Sequence, residues 1–352
     1  DRQNPMRELE WNKDNSLGIW RVFGNAYVEV KPLKGLVLKS NFGIDLDMSL
    51  IHSINRTFYS DIIQNSTPSS TVSHNNNFRW NWSNTATYNF NLTEDHQFNV
   101  LGGFELYRLD GIGFSGYSEG YAIETKDYMW PDAATGTQRV YGSENGYALA
   151  SFFGKIDYNW QERILASFTI RHDGSSRFGE NNKYGTFPAA TLGYRLSKDL
   201  NKSWLDDLKV RLSWGQTGNQ DISNIARYSI FLADYGDDRV TSTAYDLYLQ
   251  GSGIFPSGYR TSQSANPNLK WETTTQYNVG LDFMLFNQRL TGSADAYIKD
   301  IKDMLIQPAY LGSKGEGGSS WTNGPSLRNW GMEFTLGWRD QLACGLGYKI
   351  NG

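Results

Sequence analysis

Apolar and polar residues alternate along this chain with a period of two. In Leu36-Val37-Leu38-Lys39-Ser40-Asn41-Phe42-Gly43-Ile44-Asp45-Leu46 the even positions are mostly apolar, while Lys39, Asn41, Gly43 and Asp45 occupy odd ones. Successive strand side chains point to opposite faces, so such a segment has one greasy face and one wet face. The pattern recurs at Ile164, Ala166, Phe168 and Ile170, and at Tyr277, Val279, Leu281, Phe283 and Leu285. It returns at Leu290, Gly292, Ala294, Ala296 and Ile298, then at Met332, Phe334, Leu336 and Trp338, with weaker copies starting near Val22, Thr85, Phe98, Ala148, Phe187 and Leu208. About eleven strands of roughly nine to twelve residues follow, near the length a tilted strand needs to cross a bilayer.

The connections sort by length. Short polar turns are expected at residues 31–35, 92–96, 159–163 and 286–289, with 197–207 and 339–343 as longer members of the same set. Long segments intervene at 47–77, 108–146, 172–184, 216–270 and 304–328. Alternating short and long connections predict an all-β, up-and-down antiparallel transmembrane β-barrel, with periplasmic turns at one end and extracellular loops at the other. A soluble sandwich has no reason to sort its loops this way.

Composition agrees with β-structure: 12 Trp, 21 Tyr and 18 Phe stand against only 9 Pro, and aromatics favour strands. A single cysteine, Cys344, argues against a disulfide framework or a cysteine-built metal site. A net charge of -4 gives no nucleic-acid footprint. No run of apolar residues is long enough for a transmembrane helix. The mean hydropathy of -0.54 suits a barrel, which spreads its lipid face over alternate residues. The chain opens on Asp1 in a polar stretch without a signal peptide, so residues 1–352 are expected to be an internal part of a longer precursor. Trp20, Trp80, Trp82, Tyr107, Trp160, Trp214, Trp271, Phe286, Trp330 and Trp338 cluster near strand ends. They read as headgroup-level girdles, or as plain β-propensity and core packing.

Candidate chemistry is sparse. His52, His74, His96 and His172 lie far apart without ligand spacing, and read as solvated loop or turn histidines. No G-x-S-x-G elbow occurs. The Gly-rich run at 312–318 lacks the phosphate-loop pattern, and Asp300-Ile301-Lys302-Asp303 fits no calcium loop. Asn55-Arg56-Thr57 and Asn65-Ser66-Thr67 are chance sequons in a composition so rich in Asn, Ser and Thr. Tyr117, Tyr121, Tyr128 and Trp130 in one long loop, and Tyr245, Tyr248 and Tyr259 in another, could grip sugar rings. The plainer reading is that they pack the loops on each other or on a partner protein. No catalytic, cofactor or metal residue is assigned, and no enzyme activity is expected. A paired-carboxylate glycosidase finds no acid pair standing out from the surface charge. The remaining rival to a membrane wall is a soluble β-rich glycan-binding module.

Three segments go beyond pattern. They are Arg171-His172-Asp173-Gly174-Ser175-Ser176-Arg177-Phe178-Gly179 with Asn182–Ala189, then Leu208–Gln220, then Asn266-Pro267-Asn268-Leu269-Lys270-Trp271-Glu272-Thr273-Thr274 with Asn278–Phe283. Their order and spacing resemble those of SusC-like (RagA-like) TonB-dependent transporters over about residues 147–339. Residues 1–146 fit by strand pattern more than by motif. The resemblance implies a 22-stranded barrel around a plug, of which residues 1–352 are about half the wall. The plug domain, the TonB box and the closing C-terminal strands are expected to be absent from this stretch, and an open edge would not be stable alone in lipid. The resemblance also implies active import of glycans or peptides across the outer membrane of a Gram-negative bacterium. Its partners would be a SusD-like surface lipoprotein as lid, the TonB-ExbB-ExbD complex acting through the plug, the oligosaccharide or peptide substrate and outer-membrane lipid. No cofactor and no nucleic acid are implied. The motifs themselves read as barrel architecture, with Asp173-Gly174 a tight turn and Pro267 feeding a strand.

Overall fold

The computed structural model describes residues 5–59, 64–200, 202–233, 259–309, 318 and 320–352. A short helix, α1 (Pro5–Asn12), leads into twelve strands. These are β1 (Ser16–Leu33), β2 (Leu36–Asn55), β3 (Ser69–Asn91), β4 (His96–Glu119), β5 (Gln138–Trp160) and β6 (Ile164–Ser175). They continue as β7 (Tyr184–Arg195), β8 (Leu205–Asn219), β9 (Glu272–Leu285), β10 (Leu290–Lys302), β11 (Leu327–Gln341) and β12 (Gly347–Asn351). All twelve lie in one sheet whose spatial order is their sequence order. The pairs from β5 to β12 are antiparallel. This is the expected up-and-down, all-β arrangement. The strand beyond the eleven expected is β12, five residues against the end of β11, too short for its alternation to be legible. It also moves the final turn from 339–343 to residues 342–346.

Strand length departs from expectation. β3, β4 and β5 run 23, 24 and 23 residues, about twice what a tilted strand needs to cross a bilayer. The connections expected at 47–77 and 108–146 shrink accordingly to residues 56–68 and 120–137. The physical reason is readable in the side chains. His74, Asn76, Arg108, Asp110 and Glu144 fall on the phase that is otherwise apolar. Polar residues on that phase mark strand that continues outside hydrocarbon, where alternation no longer signals a strand.

The short turns hold strained backbone. Gly35 has φ 85°, and a Cβ there would lie 2.2 Å from the Asn89 carbonyl oxygen, so only glycine fits. The turn after β5 has no glycine, yet Gln161 and Glu162 sit at φ 52° and 54°, and the Asn159 side chain accepts from the Glu162 N–H at 2.9 Å. A non-glycine residue in this region costs about 1–2 kcal/mol. Gln161→Gly is therefore expected to stabilise the protein by about 1 kcal/mol, read as a higher urea midpoint for refolded full-length protein in lipid.

Contacts divide the chain into two compact units. One comprises Asp1–Val28, Ser40–Ser83 and Leu106–Ala148, the other Glu29–Lys39, Asn84–Glu105 and Leu149–Gly352. Among the described residues, the buried hydrophobics of each unit gather away from the middle of the strands. In the first unit Ile54, Tyr121 and Met129 form a small knot with Ala134 against it. In the second Phe178, Phe187, Ile222, Ala226, Leu269 and Trp271 form another, with Leu305 and Trp321 packed on it. Both knots sit in the long connections and the strand ends beside them.

Asp14, just before β1, ties to Arg56 and its carboxyl is held below the usual range, chiefly by that hydrogen bond. Arg56 also donates to the Glu124 carbonyl oxygen at 2.8 Å. A depressed carboxyl pKa contributes stability above the ordinary aspartate value of about 3.9 and loses it as pH falls through the lowered value. Proteolysis of the 120–137 connection is expected to rise only in that acidic window, and Asp14→Asn should abolish the pH dependence.

Candidate functional site

The register sorts the second unit's side chains onto two faces. Tyr277↔Ile298, Val279↔Ala296, Leu281↔Ala294 and Phe283↔Gly292 are opposed across β9 and β10. Ile298↔Trp330, Ala294↔Phe334 and Leu290↔Trp338 continue the apolar face onto β11. Val279 and Phe334 are 54% and 74% exposed. An apolar face of this extent is unstable against water and suits lipid. Trp330 and Trp338 are eight residues apart on this face, about 27 Å along the strand, which places aromatic rows at both ends of an apolar band. Two of the expected girdle residues do other work. Tyr107 shares the phase of the wet residues of β4 and pairs with Tyr147 at 5.4 Å between ring centroids. Trp271 is buried in the second knot, and its Nε1 donates to the Lys183 carbonyl oxygen at 3.1 Å.

The opposite face is wet. Arg211 on β8 reaches across β9 to β10: Nε and Nη2 donate to Asp282 at 2.8 and 2.9 Å, and Nη2 donates to Asp295 at 2.9 Å. Lys209 joins Asp282 at 3.0 Å. Gly280 lets the guanidinium lie flat against the strand, because a Cβ there would meet it at 2.7 Å. Arg171 lies over the Phe153 ring at 5.4 Å and bonds Asp173 at 3.0 Å. A cavity of about 670 Å³ opens here among Asn91, Asp157, Ser167, Thr191, Lys209 and Arg211, within the size range of ligand sites.

The first unit has its own wet face. Along β3 every odd position from Ser69 to Ser83 is polar, while Phe78, Trp80 and Trp82 take even positions. Asn77 Nδ2 donates to Asp47 at 2.8 Å, and Asn75 Nδ2 to Ser49 Oγ at 3.4 Å. The Ser73 and Ser115 hydroxyls are 2.9 Å apart. Arg79 pairs with Asp47, and Arg21 is bidentate on Asp45 at 2.8 and 2.9 Å. Much of this surface lies in the segments expected to be loops, 47–77 and 108–146. The signal that could have found it was the run of Ser, Thr and Asn at every second position from Ser69 to Ser83, interrupted by Arg79 alone.

Among the described residues the loop aromatics go to separate places. Tyr117 belongs to β4 and its hydroxyl donates to Glu119 at 2.5 Å. Tyr121 is buried, and the Trp130 ring packs at a tilt against His52, 4.5 Å between centroids. His52, Ile54 and Ser70 lie on the even phase, opposite the wet face, so the 120–137 connection folds over the other side. Tyr128 is exposed. Tyr245 and Tyr248 lie outside the described residues, as do residues 312–317 of the Gly-rich run, and Tyr259 opens the short strand Tyr259–Gln263. His52 is also a correction to the solvated reading. It is 3% exposed, with Nε2 at 3.0 Å from the Met129 carbonyl oxygen and 3.3 Å from Ser70 Oγ. His96 meets the Tyr158 hydroxyl and His172 that of Thr186, both at 2.8 Å.

The sequence motifs close on one another. Phe178 is fully buried and packs on Trp271 at 4.8 Å between centroids. The Gly179 N–H donates to the Leu269 carbonyl oxygen at 3.3 Å. A Cβ at Gly179 would fall 2.0 Å from the Pro267 carbonyl oxygen. Arg177 donates to Asn224 Oδ1 and to the Gln220 carbonyl oxygen at 2.6 and 3.0 Å. Asn323 bridges the backbone of Lys270 and Asp303. The segments around 178, 222, 269 and 321 are thus stitched into one body.

A single antiparallel sheet in sequence order, apolar with aromatic rows on one face and polar and self-paired on the other, is the wall of an outer-membrane β-barrel. The chain belongs to the TonB-dependent receptor-like β-barrel family, whose model matches residues 10–352; it is a family of transporters, not enzymes. It is 32% identical over 95% of its length to the TonB-dependent receptor SusC of Bacteroides thetaiotaomicron, of which it covers 32%. It is 25% identical to the TonB-dependent receptor P26 of Formosa agariphila, covering 95% of this chain and 33% of that one. The solved RagAB peptide transporter superposes with a TM-score of 0.82 at 25% identity, over 96% of this chain and 36% of that one. The chain therefore spans about a third of the length of these relatives.

Proposed function

We propose that the protein imports oligomeric nutrients, glycans or peptides, across the outer membrane of a Gram-negative bacterium by TonB-dependent active transport. A SusD-like lipoprotein serves as lid. A plug and further strands come from parts of the protein outside residues 1–352, and the TonB-ExbB-ExbD complex acts through that plug. The observation that carries this reading is the two-faced sheet within a chain 32% identical to SusC. Lipid accepts the apolar face. The polar face gives a wall whose acidic and basic side chains largely satisfy each other, so a passing polar substrate meets hydrogen-bonding groups rather than a charge trap.

The stitched body formed by the loop motifs holds the long-loop end, where a lid would dock. A soluble glycan-binding module would leave Phe334 and Val279 exposed to water without return. The test is uptake of labelled oligomers by cells carrying the full-length gene or its deletion. Uptake should require the gene and stop when an uncoupler collapses the proton gradient. Gene-dependent uptake that survives the uncoupler would refute active transport, and recovery of the full-length protein without detergent would refute the barrel.

A further inference from the structure

Resting on the import reading, we infer that the wet face of the first unit is a binding wall for a neutral, hydroxyl-rich oligosaccharide rather than for a peptide. The wall is built around β3 and β4. Gly111 and Gly113 leave two successive inward positions of β4 without side chains. The Asn77 and Asn75 amide oxygens lean over them, 2.8 and 2.9 Å from where a Cβ would stand. From the other side Ser143 Oγ approaches the Gly113 position to 2.7 Å. The result is a floor of amides and hydroxyls lying flat on the backbone.

The chemistry of this floor selects its ligand. A hydroxyl or primary amide both donates and accepts. Asn75 and Asn77 each use one N–H on Ser49 and Asp47, and an asparagine carries a second N–H and an acceptor oxygen. Such groups pair with sugar hydroxyls in many registers. The charged side chains among them cancel: Arg21 with Asp45, and Arg79 with Asp47. A peptide brings charged termini and charged side chains, which need opposing charge when they leave water. Beside the floor these charges are spent on the wall itself, and Glu119 at the end of β4 is bonded by the Tyr117 hydroxyl. Tyr107 and Tyr147, paired on the same phase, offer ring faces for the apolar side of a sugar. The solved relative carries peptides by its description, but at 25% identity its wall need not be this one.

The experiment uses the full-length protein, purified in detergent with its native partners. It is applied to an array of neutral gluco-, manno-, xylo- and galacto-oligosaccharides, their uronate and sulfated counterparts, and a random peptide library. At least one neutral oligosaccharide should be retained in preference to anionic glycans and peptides. Asn75→Leu and Asn77→Leu should each weaken that binding about tenfold, and Asn76→Leu, on the opposite strand face, should leave it unchanged. Heat-modifiable gel mobility confirms that each variant is folded, and Ser73→Ala with Ser115→Ala offers a milder second pair expected to weaken binding in the same direction. Retention of peptides or anionic glycans instead, retention of no neutral glycan, or wild-type binding by the folded Asn75 and Asn77 variants would overturn the inference. Gradient-driven uptake of peptides would overturn it while leaving the import reading intact; gradient-independent uptake would remove the import reading itself.

Discussion

Phe178→Ala is expected to cost about 3–5 kcal/mol, the range for emptying a fully buried aromatic site. The ring is completely enclosed and packs at a tilt against Trp271, which in turn meets Phe187 edge-on at 5.4 Å. Its neighbours cannot close in easily. Gly179 is pinned under the Pro267 carbonyl, and the Phe187 ring lies where a Cβ at Gly218 would be, at 2.1 Å. The loss should be local. The ladders from β5 to β11 do not depend on Phe178, so hydrogen exchange should rise around residues 176–183, 220–228 and 264–271 while the strand amides stay protected. Protection unchanged in those three segments would mean that they are not one body. A lid protein that docks there should also bind the variant more weakly.

Arg211→Leu is expected to be the most damaging change on the wet face of the second unit. The guanidinium bridges Asp282 and Asp295 on two successive strands. Without it two carboxylates remain close together, and among the described residues Lys209 is the ion-pair partner left to Asp282. A fully buried pair broken this way would cost about 3–5 kcal/mol. The Arg211 side chain is 35% exposed, so solvent screening brings the figure to about 1–2 kcal/mol. Two checks separate charge from packing. Arg211→Lys should recover only part of the loss, because an ammonium cannot bridge both carboxylates in the flat bidentate manner. Asp295→Asn placed on Arg211→Leu should recover part of the loss by removing one of the opposed charges, and a variant without such recovery would refute the electrostatic account.

The architecture was legible in the sequence wherever the strand crosses hydrocarbon, because burial in lipid demands strict alternation. Tyr277 to Leu285 and Leu290 to Ile298 read out directly, and their register sets the same residues on one face. It was illegible where β3 and β4 continue past that band. There Asn76, Arg108 and Asp110 put polar groups on the apolar phase and the segment resembled a loop. Turn strain at Gln161 and Glu162 was hidden because neither is a residue that announces a left-handed backbone. The motif around Phe178 was visible as a motif, but its role needed three dimensions, since its partners Leu269 and Trp271 are some ninety residues away and Ile222 about half that. The wall of the first unit was invisible as a site for a related reason. Serine, threonine and asparagine are common along the whole chain, and only the strand phase shows that they share one face.

The central claim is that the even and odd phases of these strands face different solvents. It is tested most directly by single cysteines in the full-length protein, in a Cys344→Ser background, labelled with a fluorophore in outer-membrane lipid. Labels at Val279, Ile298 and Phe334 should be quenched by a lipid-borne quencher and spared by an aqueous one, while labels at Asn278, Ser213 and Ser293 should show the reverse. Water-soluble quenching at Val279, Ile298 and Phe334, or lipid quenching at all six positions, would contradict the account.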